Sequence, residues 1–228
     1  MKKILIVLSI FSMLILLSFK IINLKPSINT LNDSNDKING VDISHHNNIT
    51  DWTKFKNNID FCFIKSSQGG NYKDPKFNSY WLSAKKHKIV RGAYHFFSPG
   101  VSAEKQFNNF KKRVKLEHGD LPPVLDVELK DSNMDEVNKW LELATEYYGV
   151  KPIVYTEILF FKVFMEGKII KDYPIWIYVD NSLGVEPYNN NCILWQYSHN
   201  GKIDGVVGNV DLNLFLGNSS DFKSLLIK

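Results

Sequence analysis

The chain has 228 residues, of which 44% are hydrophobic, 23% charged and 13% aromatic, the balance of a folded domain rather than of a disordered, collagen-like or disulfide-scaffold protein. Length allows one domain with its own core. The formal charge of +4 resides in Lys2, Lys3, Lys20 and Lys25; beyond them 24 basic residues meet 24 acidic ones, so the basic excess that a nucleic-acid partner requires is missing.

Residues 2–3 are Lys-Lys and residues 4–19 carry no charge, which is the order of an export signal. The apolar run is near the lower limit of a membrane span, and no small-x-small cleavage site follows it. Residues 1–25 are therefore expected to be a signal peptide or a retained N-terminal membrane anchor. No cysteine follows that could carry a lipoprotein anchor. The protein is expected to be exported, in the cell envelope or secreted, and to contact membrane only through this leader. Residues 26–39 are rich in Asn, Asp and Ser and read as a flexible linker. The folded domain is expected over residues 40–228.

In that domain β-rich runs recur at Val41–Ser44, Phe61–Lys65, Val90–Phe96, Pro123–Leu129, Ile153–Tyr155, Ile175–Val179, Ile193–Tyr197 and Val210–Leu212. Helical signals separate the first six. Asp51 is positioned to cap a helix carrying Trp52, Phe55 and Ile59, and Asp74-Pro75 opens another with Phe77, Trp81 and Ala84 on one face. Ser102 precedes Phe107, Phe110 and Val114. Asn133 with Glu136 resembles a capping box, and Thr156 opens a run with Leu159, Phe160 and Val163. The gaps 180–192 and 198–209 are too short or too polar for packed helices. The fold class is therefore α/β: an irregular TIM-like barrel, (β/α)5β3, of five βα units and three further strands. No Gly-rich phosphate loop follows the first strand, which counts against an open nucleotide-binding sheet. Cys62 and Cys192 are 130 residues apart in apolar runs; buried free thiols are expected, with one bridge as the alternative.

In a parallel barrel the reacting groups stand at the carboxyl ends of strands. Those ends carry Asp42, Asp126, Glu128 and Asp211, with Tyr94, His95, Trp176, Tyr178, Trp195, Gln196 and Tyr197. Asp126 and Glu128 are one residue apart on an apolar strand, so both face the same way, about 6–7 Å apart along it. Two acids on one face of a buried strand repel, and one keeps its proton to higher pH, as a general acid must. Tyr and Trp offer flat apolar surfaces to sugar rings, and acids among them suggest glycoside hydrolysis. Metal hydrolysis is the competing reading, through His45, His46 and His95 with Asp126 and Asp211. However, adjacent histidines on an extended segment face opposite ways, and no HxH or HExxH spacing occurs. No metal or other cofactor is expected. A serine nucleophile elbow is absent. Lys111-Lys112-Arg113 reads as a helix C-terminus.

Together these residues form a pattern. Gly40-Val-Asp42-Ile-Ser44-His45-His46, Asp51-Trp52, Phe63-Ile-Lys65, Tyr72-Lys-Asp74-Pro75-Lys-Phe77, Arg91-Gly-Ala-Tyr94-His95-Phe96-Phe97, Gly119-Asp-Leu-Pro-Pro-Val-Leu-Asp126-Val-Glu128, Leu194-Trp195-Gln196-Tyr197-Ser198 and Val210-Asp211-Leu-Asn213 resemble the glycoside hydrolase family 25 lysozymes, over about residues 40–216. The resemblance implies a muramidase that cleaves the β-1,4 bond between N-acetylmuramic acid and N-acetylglucosamine in peptidoglycan. It also implies the same irregular barrel. Carried over by position, Glu128 is the general acid, Asp126 its partner, and Asp42 and Asp211 further acids of the cleft. Two departures stand out: Gln68 where the family often has Glu, and no repeat or basic wall-binding domain. A monomer with peptidoglycan as its partner is expected. A chitinase-like hydrolase and an inactive glycan-binding module are the alternatives. Both a double displacement and a substrate-assisted route are open to such acids; two acids on one strand approach the sugar from the same side, which suits the second.

Overall fold

The computed structural model describes residues 37–169, 172–184, 187 and 191–228; the expected leader and most of the expected linker lie outside the described residues. Among them no helix is long and apolar enough to cross a membrane. Asn39, expected in the linker, already belongs to the first strand, and Ile38 is buried.

In chain order the elements are β1 (Asn39–Ile43), β2 (Asn48–Ile49), α1 (Trp52–Lys56), β3 (Phe61–Gln68), β4 (Tyr72–Lys73), α2 (Phe77–Lys86), β5 (Val90–Phe96), α3 (Ala103–Lys111), β6 (Val124–Asp126), α4 (Met134–Tyr148), β7 (Ile153–Glu157), α5 (Ile158–Phe160), β8 (Ile175–Tyr178), β9 (Cys192–Gly201), β10 (Val206–Val207), β11 (Val210–Phe215) and α6 (Ser219–Leu225). The strands β1, β3, β5, β6, β7, β8 and β9 run parallel in that order. β11 is antiparallel to both β9 and β1 and so closes the ring. This is the expected barrel of five βα units and three further strands. β2 with β10, and β4 at the edge of β3, are small additions the apolar runs did not announce.

Strand alternation produces two apolar layers. Phe61, Phe63, Val124, Ile153, Trp176, Leu194 and Phe215 fill the barrel interior. Val41, Ile43, Cys62, Ile64, Leu125, Val154 and Ile177 face outward into the helices. The interior is tight enough to demand a missing side chain. A Cβ on Gly92 would lie 2.4 Å from the Phe63 ring, and one on Gly40 would lie 2.3 Å from Phe61.

The caps are partly those expected. Asp51 accepts from the Thr53 and Lys54 amides, and Ser102 from that of Lys105. The capping box at Asn133 does not form: Asn133 accepts from Asp135, whereas the Glu136 carboxylate accepts from the Ala103 amide at 2.6 Å, tying α4 to the start of α3. Asp74 lies a turn ahead of α2 and serves His45 as well as the Lys76 amide. Glu157, not Thr156, caps α5. Cys62 and Cys192 are both free thiols, as their apolar settings suggested, and burial pushes each up to about 12.

Candidate active site

The carboxyl ends of the barrel strands open onto a cleft of about 190 Å³, lined by Asp42, Ser44, His46, Lys65, Tyr94, Phe96, Val124, Asp126, Glu128, Tyr155, Trp176, Gln196 and Asp211. All four predicted acids therefore meet in one place.

They form two pairs on opposite walls. Asp42 on β1 and Asp211 on β11 are partners in register. Asn213, two residues along β11 and on the same face, donates its Nδ2 to Asp42 Oδ2 at 2.9 Å and accepts the Trp176 indole N–H at 2.9 Å. The indole can only donate, so it fixes the amide with its NH2 toward Asp42. Asp126 and Glu128 form the other pair. β6 ends at Asp126, but neighbouring strands hold the chain extended beyond it. Val127 donates its amide to Tyr155 O at 2.9 Å and accepts the Thr156 hydroxyl at 2.7 Å, while Phe97 N–H donates to Asp126 O at 2.8 Å.

The two members of that pair differ in setting. Asp126 is buried, and its Oδ1 has no hydrogen-bond partner among the described residues. Glu128 lines the cleft yet is open to solvent at its mouth. Burial drives the Asp126 carboxyl well above the usual carboxylate range, and the charge of Glu128 drives it further. Glu128 is also raised, chiefly by desolvation, against the opposing effects of the neighbouring Tyr155 hydroxyl and the charge of Lys65. Asp42 is held well above its ordinary range by burial and by Asp211; desolvation raises Asp211 in turn. The cleft thus holds carboxylic acids that keep their protons to higher pH than free carboxyls do.

Residues that the sequence reading passed over complete the walls. The Tyr155 hydroxyl donates to the Gln196 side-chain oxygen. Lys65 donates to Gln68 Oε1 at 3.1 Å and lies 4.8 Å from the Phe96 ring centroid. Burial lowers its pKa, and Asp126 opposes that shift most. Strand alternation could have found Tyr155 and Asn213, since both lie two residues from an inward-facing position.

Of the seven predicted sugar contacts, Tyr94, Trp176 and Gln196 line the cleft. His95 does not: it alternates with Tyr94, so it points out of the barrel. It is fully buried there, with Nδ1 at 2.9 Å from Ser67 Oγ, Nε2 at 3.3 Å from Gln106 Oε1, and its ring stacked on Trp140. Desolvation brings its pKa down to about 3, so it is neutral. Trp195 and Tyr197 flank Gln196 on β9 and face outward too. Trp195 packs on the outer apolar layer and donates its indole N–H to Val179 O at 2.8 Å. Tyr178 stands beside the cleft, its hydroxyl 2.6 Å from His199 Nδ1.

The comparisons with known proteins point the same way. The family model described as Glycosyl hydrolases family 25 matches residues 41–206. The chain is 33% identical over 202 residues to the uncharacterized protein YegX of Escherichia coli, covering 83% of this chain and 73% of that one. It is 27% identical to lysozyme M1 of Streptomyces globisporus, covering 82% and 71%. Among solved structures it is similar to a family 25 glycosyl hydrolase from Bacillus anthracis, with a TM-score of 0.75 at 28% identity over 88% of this chain and 98% of that one. It is also similar to the lysozyme of Streptomyces coelicolor, with a TM-score of 0.72 at 26% identity over 85% and 98%. With a closed five-plus-three barrel, two facing pairs of acids at its mouth and a family match over most of its folded length, the chain belongs to glycosyl hydrolase family 25.

Proposed function

We propose that the protein is a lysozyme, an N-acetylmuramidase that hydrolyses the β-1,4 bond between N-acetylmuramic acid and N-acetylglucosamine in peptidoglycan. One observation carries the reading: an Asp126–Glu128 pair on one face of one cleft, with Asp126 buried, Glu128 open to solvent at the mouth, and both carboxyls raised by desolvation. Glu128 gives its proton to the glycosidic oxygen as the C–O bond breaks. Asp126 faces the same side, where it orients the acetamido group of the sugar. The acetamido oxygen then attacks the anomeric carbon, and water, giving a proton back to the Glu128 carboxylate, adds to that carbon and opens the resulting ring. Asp42 and Asp211, on the opposite wall, favour the positive charge that develops at the anomeric centre. Relatives named lysozyme M1 and N,O-diacetylmuramidase support the substrate. The Lys-Lys leader and its apolar run support export to the cell envelope, where that substrate is found.

The test is mass analysis of fragments released from purified peptidoglycan by the native protein and by Glu128→Gln. Muramic acid at the new reducing ends is expected, with turnover lowered at least ~100-fold in the variant. N-acetylglucosamine at those ends, or equal turnover by the variant, would overturn the assignment. A covalent sugar trapped on any of the four acids would replace the acetamido route with a double displacement.

A further inference from the structure

Along the walls of the acidic cleft there is one lysine and no arginine, and that lysine is Lys65. Its ammonium makes one hydrogen bond among the described residues, to Gln68 Oε1 at 3.1 Å, and lies 4.8 Å from the centroid of the Phe96 ring. No carboxylate stands within ion-pair distance of it among the described residues. An ammonium carries more N–H donors than one acceptor can satisfy, so Lys65 brings into the cleft donors that the protein leaves unused. Asp126 has the complementary lack. It is 6% exposed, it lines the same cleft, and its Oδ1 accepts from no group among the described residues.

The spacing of these two groups is set by the sheet. Gln68 pairs with Phe96 across β3 and β5, Phe96 with Asp126 across β5 and β6, and Asp126 with Tyr155 across β6 and β7. The four residues therefore form one row over four strands. Glu128 adjoins the Tyr155 end of the row, Asp126 is in its middle, and the Lys65 ammonium lies at the Gln68 end. Gln68 is itself held in place. Asn109, buried on α3, donates its Nδ2 to Gln68 O at 3.3 Å, Gly69 O at 3.0 Å and Tyr72 O at 3.0 Å.

That order matches the order of substituents on a pyranose ring. In the reaction proposed above, Glu128 serves the oxygen on C1 and Asp126 the acetamido group on C2. The substituent on C3 then falls on the far side of Asp126, toward Lys65. In N-acetylmuramic acid C3 bears a lactyl ether that ends in a carbonyl group. In N-acetylglucosamine it bears a hydroxyl that ends at the ring.

We infer that Lys65 is the residue that selects muramic acid, its ammonium donating to the carbonyl oxygen of the lactyl group on C3. Gln68 is the positioning residue that aims it. The inference rests on the muramidase reading for the placement of the sugar. In stem-bearing wall the lactyl carbonyl belongs to an amide, so no further anion has to enter a cleft of four acids. A chitin strand leaves the donors of a half-buried cation unpaired, and that loss is the basis of discrimination.

The test measures, by calorimetry, dissociation constants for two sugars in the full chain carrying Glu128→Gln, with and without Lys65→Met. One sugar is the tetrasaccharide of alternating N-acetylglucosamine and N-acetylmuramic acid, its lactyl carboxyls capped as methyl amides. The other is the chitin tetrasaccharide. Met keeps the length of the side chain and its apolar contact with Phe96 while removing the charge and the donors. The preference for the muramyl sugar, taken as the ratio of the two constants, is expected to fall about tenfold in Lys65→Met. Gln68→Glu keeps the lysine and sets a carboxylate against its ammonium. It is expected to lower the ratio in the same sense, and it decides the matter if Lys65→Met does not fold. A merely structural lysine would weaken both sugars by one factor. That result, or an unchanged ratio, overturns the inference. Failure of the muramidase reading shows separately, as N-acetylglucosamine at the new reducing ends of wall digested by the native protein.

Discussion

Asp42 and Asp211 occupy opposed positions in the antiparallel pairing of β1 with β11, and Asn213 donates to the first of them at 2.9 Å. Burial and mutual repulsion favour one shared proton between them, which is why Asp42 stands well above its ordinary range. An acid raised on folding binds its proton more tightly in the native state. Stability is therefore fullest below the unfolded-state value near 4 and declines as pH climbs through the raised native value. Asp126, Glu128 and Asp211 are raised as well, so the four effects have one sign. Asp42→Asn removes one of them. Its melting temperature is expected to exceed that of the native protein by about 2–4 °C at pH 7 and to match it near pH 4, with activity reduced. Melting curves at the two pH values check this, and a gain that is the same at both would refute the linkage.

Asn213 is a positioning residue for Asp42, with its amide held by the Trp176 indole. Asn213→Asp places a further acid beside the Asp42–Asp211 pair and leaves the indole partner in place. The pH profile of kcat is expected to shift and kcat at neutral pH to fall by about tenfold, on the scale of one buried hydrogen bond to a charged group. Asn213→Ala lowers kcat comparably with no added charge and so no comparable shift of the profile. Profiles of the two variants that coincide would remove the electrostatic part of the account.

Much of this site was legible from residues alone, for identifiable reasons. Asp126 and Glu128 were readable because one intervening residue on a strand is enough to put two side chains on one face. The same rule, applied on β5 and β9, also separates His95 from Tyr94 and Trp195 and Tyr197 from Gln196. Grouping those residues by strand end without asking which face they take put three outward side chains in the cleft. Lys65 escaped notice because a lysine in an apolar run is unremarkable until the walls around it are known. The barrel was readable from eight β-rich runs, five with helices after them. The C-terminal helix Ser219–Leu225 was not expected, although Asn218 and Asp221 form a capping box there. The chain around it is too short to declare a periodicity.

His95 provides a direct check on that separation of faces. Its two ring nitrogens are engaged by Ser67 and Gln106 in the layer between barrel and helices. His95→Ala leaves a cavity against Trp140 and strips both partners, for an expected loss of about 2–4 kcal/mol of stability. KM and kcat of the remaining folded enzyme should change by less than about threefold, because the residue is not in contact with the cleft. Denaturant titration and kinetics on the same preparation separate the two effects. A large rise in KM with stability intact would place His95 back among the sugar contacts.

Gly92 tests the packing that sets the cleft floor. It lies on β5 two residues before Tyr94, and its missing side chain makes room for the Phe63 ring, which in turn lies 4.8 Å from Trp176. A methyl group at position 92 has its nearest neighbours at 2.4 Å on that ring and 3.0 Å on Leu121, so the ring must move against the aromatic side chains packed around it. Gly92→Ala is expected to cost about 1–3 kcal/mol. The displaced ring presses on Trp176, which holds Asn213 and through it Asp42, so activity should fall along with stability. The compensating pair Gly92→Ala with Phe63→Leu relieves the clash. It should recover stability and activity together relative to Gly92→Ala alone, and recovery of neither would show that the floor is not what the glycine protects.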